Sequence, residues 1–195
     1  MSEYGYLFDE IDMNADQPIK GRVKTTRLKD KMKLIQRLQE LKQVMPPIEK
    51  NTTYHLISSD NFGSIELLKH LVEQHKPVNI YITTWSINQE FMDMLTEYLK
   101  RGIQVDFYID KSIKGRKAHL AAQVVNLAYD YNNLNLKYHY LLHSKVTLIT
   151  NGDEFISIEG SANYSKNTRI ENFTITESKE LFNFHKNWMQ EIVGK

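Results

Sequence analysis

From Tyr54 to the C-terminus, apolar and polar positions alternate in a way that reads as strands interleaved with helices. Tyr54 to Ser59 is a short apolar run with the character of a buried strand, and Ile65 to Glu73 carries Leu68, Leu71 and Val72 at helical spacing. Val78 to Trp85 predicts the next strand. A helix follows, with a Ser86-x-x-Gln89 capping box at its start and Gly102 past its end. Ile103, Val105, Phe107 and Ile109 alternate with polar partners, a strand period, and Ala118 to Asp130 predicts another helix. The last third is built differently: Leu136 to Tyr140, Lys145 to Thr150 and Phe155 to Glu159 are short strands, with the hairpin signal Asn151-Gly152 between the last two. Glu171 to Thr176 adds a strand and Leu181 to Ile192 a closing helix. The first part argues for parallel strands joined by crossovers and the second for hairpins, so a mixed sheet results.

Upstream the pattern changes. Residues 1 to 20 follow neither period and predict an arm with little regular structure. From Thr26, the positions Leu28, Met32, Ile35, Leu38, Leu41 and Met45 recur at helical spacing until Pro46-Pro47 ends them, predicting an amphipathic helix with a basic outer face. The expected organisation is an arm and basic helix over 1–50 and a folded domain over 51–195.

Charge sharpens that division. Net charge is only +1, but Lys20, Arg22, Lys24, Arg27, Lys29, Lys31, Lys33 and Arg37 stand against a single Asp in residues 20–37, and residues 1–19 hold five acids and no base. The basic stretch is a candidate nucleic-acid contact, since neutralising several phosphates releases counterions; a solvated helix face is the competing reading. The chain has 195 residues and 41% apolar content, enough for one sizeable core. It has no cysteine, which excludes disulfides, thiolate metal sites and a cysteine nucleophile. The first residues lack the features of a signal peptide, and no apolar run reaches membrane-spanning length. A soluble cytoplasmic protein without stable membrane association is expected.

The candidate chemistry lies in the last third. His143 and Lys145 are one residue apart on a predicted strand, so a period of two turns both to one face. Ser161 and Asn163 repeat that spacing in Gly160-Ser161-Ala162-Asn163 past the next strand, and a hairpin would bring the four together. Glu171 follows at the start of another strand. Phosphodiester cleavage needs a nucleophile, charge on the non-bridging oxygens and a proton for the leaving oxygen, and these side chains supply all three. A neutral imidazole can attack phosphorus when a carboxylate holds its tautomer, and Glu171 is the candidate carboxylate. Lys145 brings a compact positive charge, and Asn163 and Ser161 bring hydrogen-bond donors.

His143-x-Lys145, Gly160-Ser161-x-Asn163 and Glu171 together resemble the HKD signature of the phospholipase D-like superfamily, over residues 54 to 192. The full signature is His-x-Lys-x4-Asp; here Thr150 stands at the last position and Asp153 lies three residues late. The resemblance implies an α/β fold, a phospholipase D-like mixed β-sheet flanked by helices. It also implies a phosphohistidine on His143 without metal or cofactor. Because such a site takes two copies of the motif and this chain carries one, it implies a homodimer with the site on its two-fold axis. The expected activity is metal-independent phosphodiester cleavage, with DNA or RNA as the substrate. Two other readings stay open: a non-catalytic nucleic-acid-binding module of the same fold, motivated by the missing Asp, and a phospholipid phosphodiesterase.

Overall fold

The computed structural model describes residues 23–25, 30–35, 41, 45, 47–58, 63–165 and 169–192. One sheet runs through the molecule. In chain order its strands are β1 (Val23–Thr25), β2 (Asp30–Ile35), β3 (Thr53–Ser58), β4 (Asn79–Thr84), β5 (Gln104–Asp110), β6 (Leu134–His139), β7 (Val146–Thr150), β8 (Phe155–Gly160) and β9 (Glu171–Glu177). The spatial order is β1-β2-β3-β9-β8-β7-β4-β5-β6. Strands β4, β5 and β6 are parallel neighbours, β2 is parallel to β3, and the remaining pairs are antiparallel. Strands β2, β3, β4, β5, β6 and β8 therefore point one way, and β1, β7 and β9 the other. The carboxyl ends of the first set share an edge with the amino ends of β7 and β9.

Five helices complete the described structure: α1 (Ser64–His75), α2 (Gln89–Lys100), α3 (Ile113–Arg116), α4 (Ala118–Asp130) and α5 (Lys179–Glu191). The period of two along the strands sorts side chains between two cores. Ile80 and Ile82 of β4 and Val105, Phe107 and Ile109 of β5 join the larger core with Leu68, Leu71, Phe91, Leu95 and Val124 from α1, α2 and α4. Tyr81, Tyr108, Val146 and Leu148 turn to the other face and pack with Phe182 and Met189 of α5. Each such side chain, fully buried, stabilises the fold by roughly 1.5–3 kcal/mol, so this sorting holds the strand register. Among the described residues, no helix is long and apolar enough to cross a membrane.

Three details differ from the sequence reading. The helix expected from Thr26 gives way to strand over 30–35, where the backbone pairs in parallel with β3, Asp30 opposite Thr53 through Ile35 opposite Ser58. An unpaired β3 edge rewards any neighbouring backbone that can extend, and such tertiary pairing overrides a helical spacing of apolar residues. Leu41 is helical, and the arm over 1–20 lies outside the described residues. Second, α2 is capped by Asn88, which accepts from Phe91 N at 2.9 Å. Ser86 stands two residues before the cap position, and its hydroxyl accepts from Lys117 Nζ at 3.0 Å. Third, β7 begins at Val146, so His143 and Lys145 sit on the approach to the strand.

Gly102 ends α2 in the left-handed region, φ 79°, as its position past the helix suggested. The Asn151-Gly152 turn joins β7 to β8, with Gly152 at φ 104°.

Candidate active site

All five candidate catalytic residues converge on the edge formed by the carboxyl ends of β4, β5 and β8. Two side chains on neighbouring strands hold the His143 segment there. Thr83 of β4 replaces a ladder partner: its Oγ1 accepts from Val146 N at 2.9 Å and lies 3.2 Å from Val146 O. Asp110, the last residue of β5, is buried and accepts from Leu142 N at 2.9 Å, from Ser112 N at 2.9 Å and from Ser112 Oγ. Burial pushes its carboxyl up, but these hydrogen bonds and the Arg116 charge outweigh that and hold it below the usual range. Just before the anchored Leu142 the chain turns through Leu141, a non-glycine residue at φ 60°.

His143 is exposed, its ring tilted 57° against Trp85 with centroids 5.8 Å apart. Lys145 folds back on it: Nζ donates to His143 O at 2.7 Å and lies 2.9 and 3.1 Å from the two ring nitrogens. Burial lowers the Lys145 pKa, and the Glu171 carboxylate opposes that shift.

Gly160 N donates to Lys145 O at 3.2 Å and carries the β7–β8 ladder up to the motif. A Cβ at Gly160 would lie 2.8 Å from Asn172 O, so only glycine lets β8 approach β9 here. Ser161 hydrogen-bonds the buried Glu171 through its hydroxyl, which also accepts from Asn172 N at 3.1 Å. Asn163 Oδ1 accepts from Trp85 N at 3.2 Å and Thr84 Oγ1 at 3.3 Å, reaching across β7 to the end of β4. That leaves the amide NH₂ of Asn163 as the group a ligand can use. The structure thus brings Glu171 to Ser161 and near Lys145. Its hydrogen bond is to Ser161 and not to the His143 ring.

Thr150 is elsewhere. It ends β7 at the opposite edge of the sheet, where its Oγ1 accepts from Gly152 N at 3.0 Å. Five residues of extended chain separate it from Lys145, about 17 Å at 3.4 Å per residue. A side chain at that position does not reach His143. Among the described residues, no three His, Asp or Glu side chains are grouped as metal ligands.

Of the basic stretch, Lys24 falls in β1, and Lys31 and Lys33 fall in β2. Lys20, Arg22, Arg27, Lys29 and Arg37 lie outside the described residues. The sequence reading passed over a second basic run, Lys111, Lys114, Arg116 and Lys117, which follows β5. Beside His143, Lys111 and Lys114 of this run line an open cleft of about 460 Å³. It also passed over Thr83 and Asp110; the signal for Asp110 is Asp-x-Ser at a strand end, the pattern of a side-chain-stabilised turn.

No protein-family model matches the chain, and no curated protein matches it. Solved structures do. A phospholipase D family member, Nuc from Salmonella typhimurium, is 21% identical, covers 72% of this chain and 93% of its own, and superposes with a TM-score of 0.56. Polyphosphate kinase from Porphyromonas gingivalis is 13% identical over 82% of this chain but only 29% of its own, with a TM-score of 0.61. TrmBL2, an archaeal chromatin protein with a novel mode of DNA binding, is 13% identical over 81% of this chain and 55% of its own, at a TM-score of 0.55. At these identities the likeness speaks for the fold. The helix-flanked mixed sheet, with its motif loops gathered on one edge, has the phospholipase D-like fold.

Proposed function

We propose that this chain is a phosphodiesterase that cleaves nucleic acid through His143, without a metal, in a dimer whose two copies share one site. The observation that carries this reading is the convergence of His143, Lys145, Ser161, Asn163 and Glu171 from three separate chain segments onto one sheet edge. An accidental His-x-Lys on a surface strand would have no reason to meet a buried carboxylate and an anchored amide.

The residues divide the chemistry as follows. A ring nitrogen of His143 attacks phosphorus, and the bond from phosphorus to the leaving oxygen breaks. That oxygen takes a proton from the His143 imidazolium of the second copy. Water then attacks the phosphohistidine, giving up a proton to the now neutral second imidazole. The N–P bond breaks, and a phosphomonoester and free His143 return. Lys145 and the Asn163 NH₂ stabilise the charge that builds on the non-bridging oxygens. Glu171 holds Ser161 and supports the charged form of Lys145. Exposed Leu141 and Ile170 flank the same edge and provide apolar surface for the second copy to cover.

The likeness to Nuc, described as a phospholipase D family member, supports phosphoryl-transfer chemistry, and the likeness to the DNA-binding TrmBL2 supports a nucleic-acid partner. The test is cleavage of single- and double-stranded DNA and RNA in excess EDTA by wild type and His143→Ala, with mass measured in solution. EDTA-resistant cleavage by a dimer, lost in the variant, is expected. Salt-sensitive binding with no cleavage would leave a binding module of this fold, and headgroup release from vesicles without nucleic-acid cleavage would make it a lipid enzyme.

A further inference from the structure

The cleft beside His143 has a composition that the five motif residues do not explain. Lys111 and Lys114 line it, and Arg116 follows them in the same turn after β5, the three within six residues. Among the described residues none of the three has a carboxylate within ion-pair distance, whereas Lys69 and Arg101 elsewhere are paired with Glu90, Glu73 and Glu97. The nearest acid, Asp110, is committed to Ser112 and Leu142 N–H groups.

Each cation lies over an aromatic ring instead. Lys111 Nζ is 4.2 Å from the Tyr140 centroid and 2.6 Å from its hydroxyl. Lys114 Nζ is 4.1 Å from the Tyr138 ring, and the Arg116 guanidinium is 3.7 Å from the Trp85 ring while donating to Trp85 O at 2.7 Å. The last contact sets Trp85 between Arg116 and His143. Tyr140 remains 66% exposed at the mouth of the cleft.

Cations without an ion-paired carboxylate, set beside aromatic rings, are the composition of grooves that track a single strand, where phosphates take the charges and unpaired bases stack on the rings. A duplex presents its phosphates but keeps its bases stacked on one another, so it has no use for Tyr140. An anionic membrane would use the same charges, but it favours a convex apolar tip, and here the charges line a concavity large enough for one nucleotide.

We infer that this cleft is a subsite for an unpaired nucleotide next to the scissile phosphate: Lys111 and Lys114 bind the neighbouring phosphate and Tyr140 stacks the base. The protein therefore prefers single-stranded nucleic acid. The inference rests on the phosphodiesterase reading only for placing the scissile phosphate at His143.

The experiment measures anisotropy of a labelled 12-nucleotide single strand and of the matching duplex, both with His143→Ala protein so that nothing is cleaved. The single strand should bind at least about tenfold more tightly than the duplex. Adding Lys111→Ala and Lys114→Ala should weaken that binding about tenfold or more and reduce the slope of log K against log salt by roughly 0.7, the value for one phosphate contact on a single strand. Lys50→Ala with Lys100→Ala removes the same charge at the opposite end of the sheet and should change affinity less than twofold. Tyr140→Ala should weaken the single strand about tenfold and the duplex hardly at all. Equal affinity for duplex and single strand, or a Lys111/Lys114 variant that binds like its parent, would overturn the inference. So would co-sedimentation with phosphatidylglycerol vesicles in place of oligonucleotide binding. Turnover of bis(p-nitrophenyl) phosphate by the wild type is scored separately: its absence beside the expected binding pattern would refute the phosphodiesterase reading and leave the subsite standing.

Discussion

The two ends of the sheet are both rich in polar side chains, yet they treat them differently. At the end holding the β7–β8 turn, most polar groups answer one another, the buried His75 Nε2 excepted. Asn151 Nδ2 donates to His75 O at 3.1 Å and Glu154 Oε2 at 2.8 Å, its Oδ1 accepts from two backbone amides, and Glu154 lies 3.0 Å from His75 Nδ1. Nearby, the buried Glu177 accepts from Asn51 N at 2.9 Å, and Asn133 donates to Leu99 O and Ile103 O. At the other end only some of the polar groups are consumed in this way. Thr83, Asp110 and the Asn163 carbonyl are spent on the backbone, and what they hold in place, His143, Lys145, the Asn163 NH₂, Lys111 and Lys114, faces outward. A closed network stabilises; an open one presents capacity that a ligand must fill. The same side-chain types close on one another at one end and leave donors and charges open for the proposed chemistry at the other, and the difference lies in which atoms are left over.

Substitutions can break this contrast, and the largest effect is expected at the open end. His143→Ala should lower turnover on the order of 10⁴-fold or more, with the melting temperature little changed, since the side chain is exposed and supports no packing. Lys145→Met should cost about 100-fold in kcat, read from steady-state kinetics, because it removes one charge stabiliser and leaves the nucleophile.

Asp110→Asn tests the join between the two kinds of residue. It weakens the acceptor that fixes Leu142, so kcat should fall about tenfold and stability by roughly 1–3 kcal/mol in urea titration. The pH dependence has a definite sign. A carboxyl held below its ordinary value contributes stability above the unfolded pKa, about 3.9, and loses it as pH falls through the folded value. Wild type should therefore lose part of its stability in that acid window, and Asp110→Asn should lack that part of the loss.

At the closed end, Asn151→Ala should cost about 1–2 kcal/mol of stability and leave turnover per folded molecule unchanged. Equal losses of activity from Asn151→Ala and Lys145→Met would erase the distinction between the ends. The smallest effect is expected for Thr150→Asp, which completes the His-x-Lys-x4-Asp spacing at the wrong end of β7 to touch His143; kcat should stay within about twofold, since the separation is about 17 Å.

Most of this fold was legible from Tyr54 onward because each element buries one face, and burial writes its period into the sequence. Ala118–Asp130 matches its expected span, and the Asn151-Gly152 turn joins its two strands as expected. Residues 30–35 were not legible, because Met32 and Ile35 satisfy a helical spacing while strand there is decided by the β3 edge, 18 or more residues away. The gathering of the motif residues was legible, since their types and spacing are local. Thr83 and Asp110 were not: each acts through a backbone amide more than 30 residues distant in the chain, and nothing local in a Thr or Asp at a strand end marks that partner. The bond of Glu171 to Ser161 was not legible for the same reason. That bond depends on how closely β8 and β9 approach at Gly160, a distance that only the assembled sheet defines.

The most direct test of the central claim, that the open end is a phosphohistidine site, is to trap the intermediate. Wild-type protein turning over a short oligonucleotide is quenched in alkaline denaturant, where a phosphoramidate N–P bond survives, and its peptides are weighed. The account predicts a nucleotidyl adduct confined to the peptide carrying His143 and absent from His143→Ala; turnover with no adduct, or an adduct that persists when His143 is removed, would contradict it.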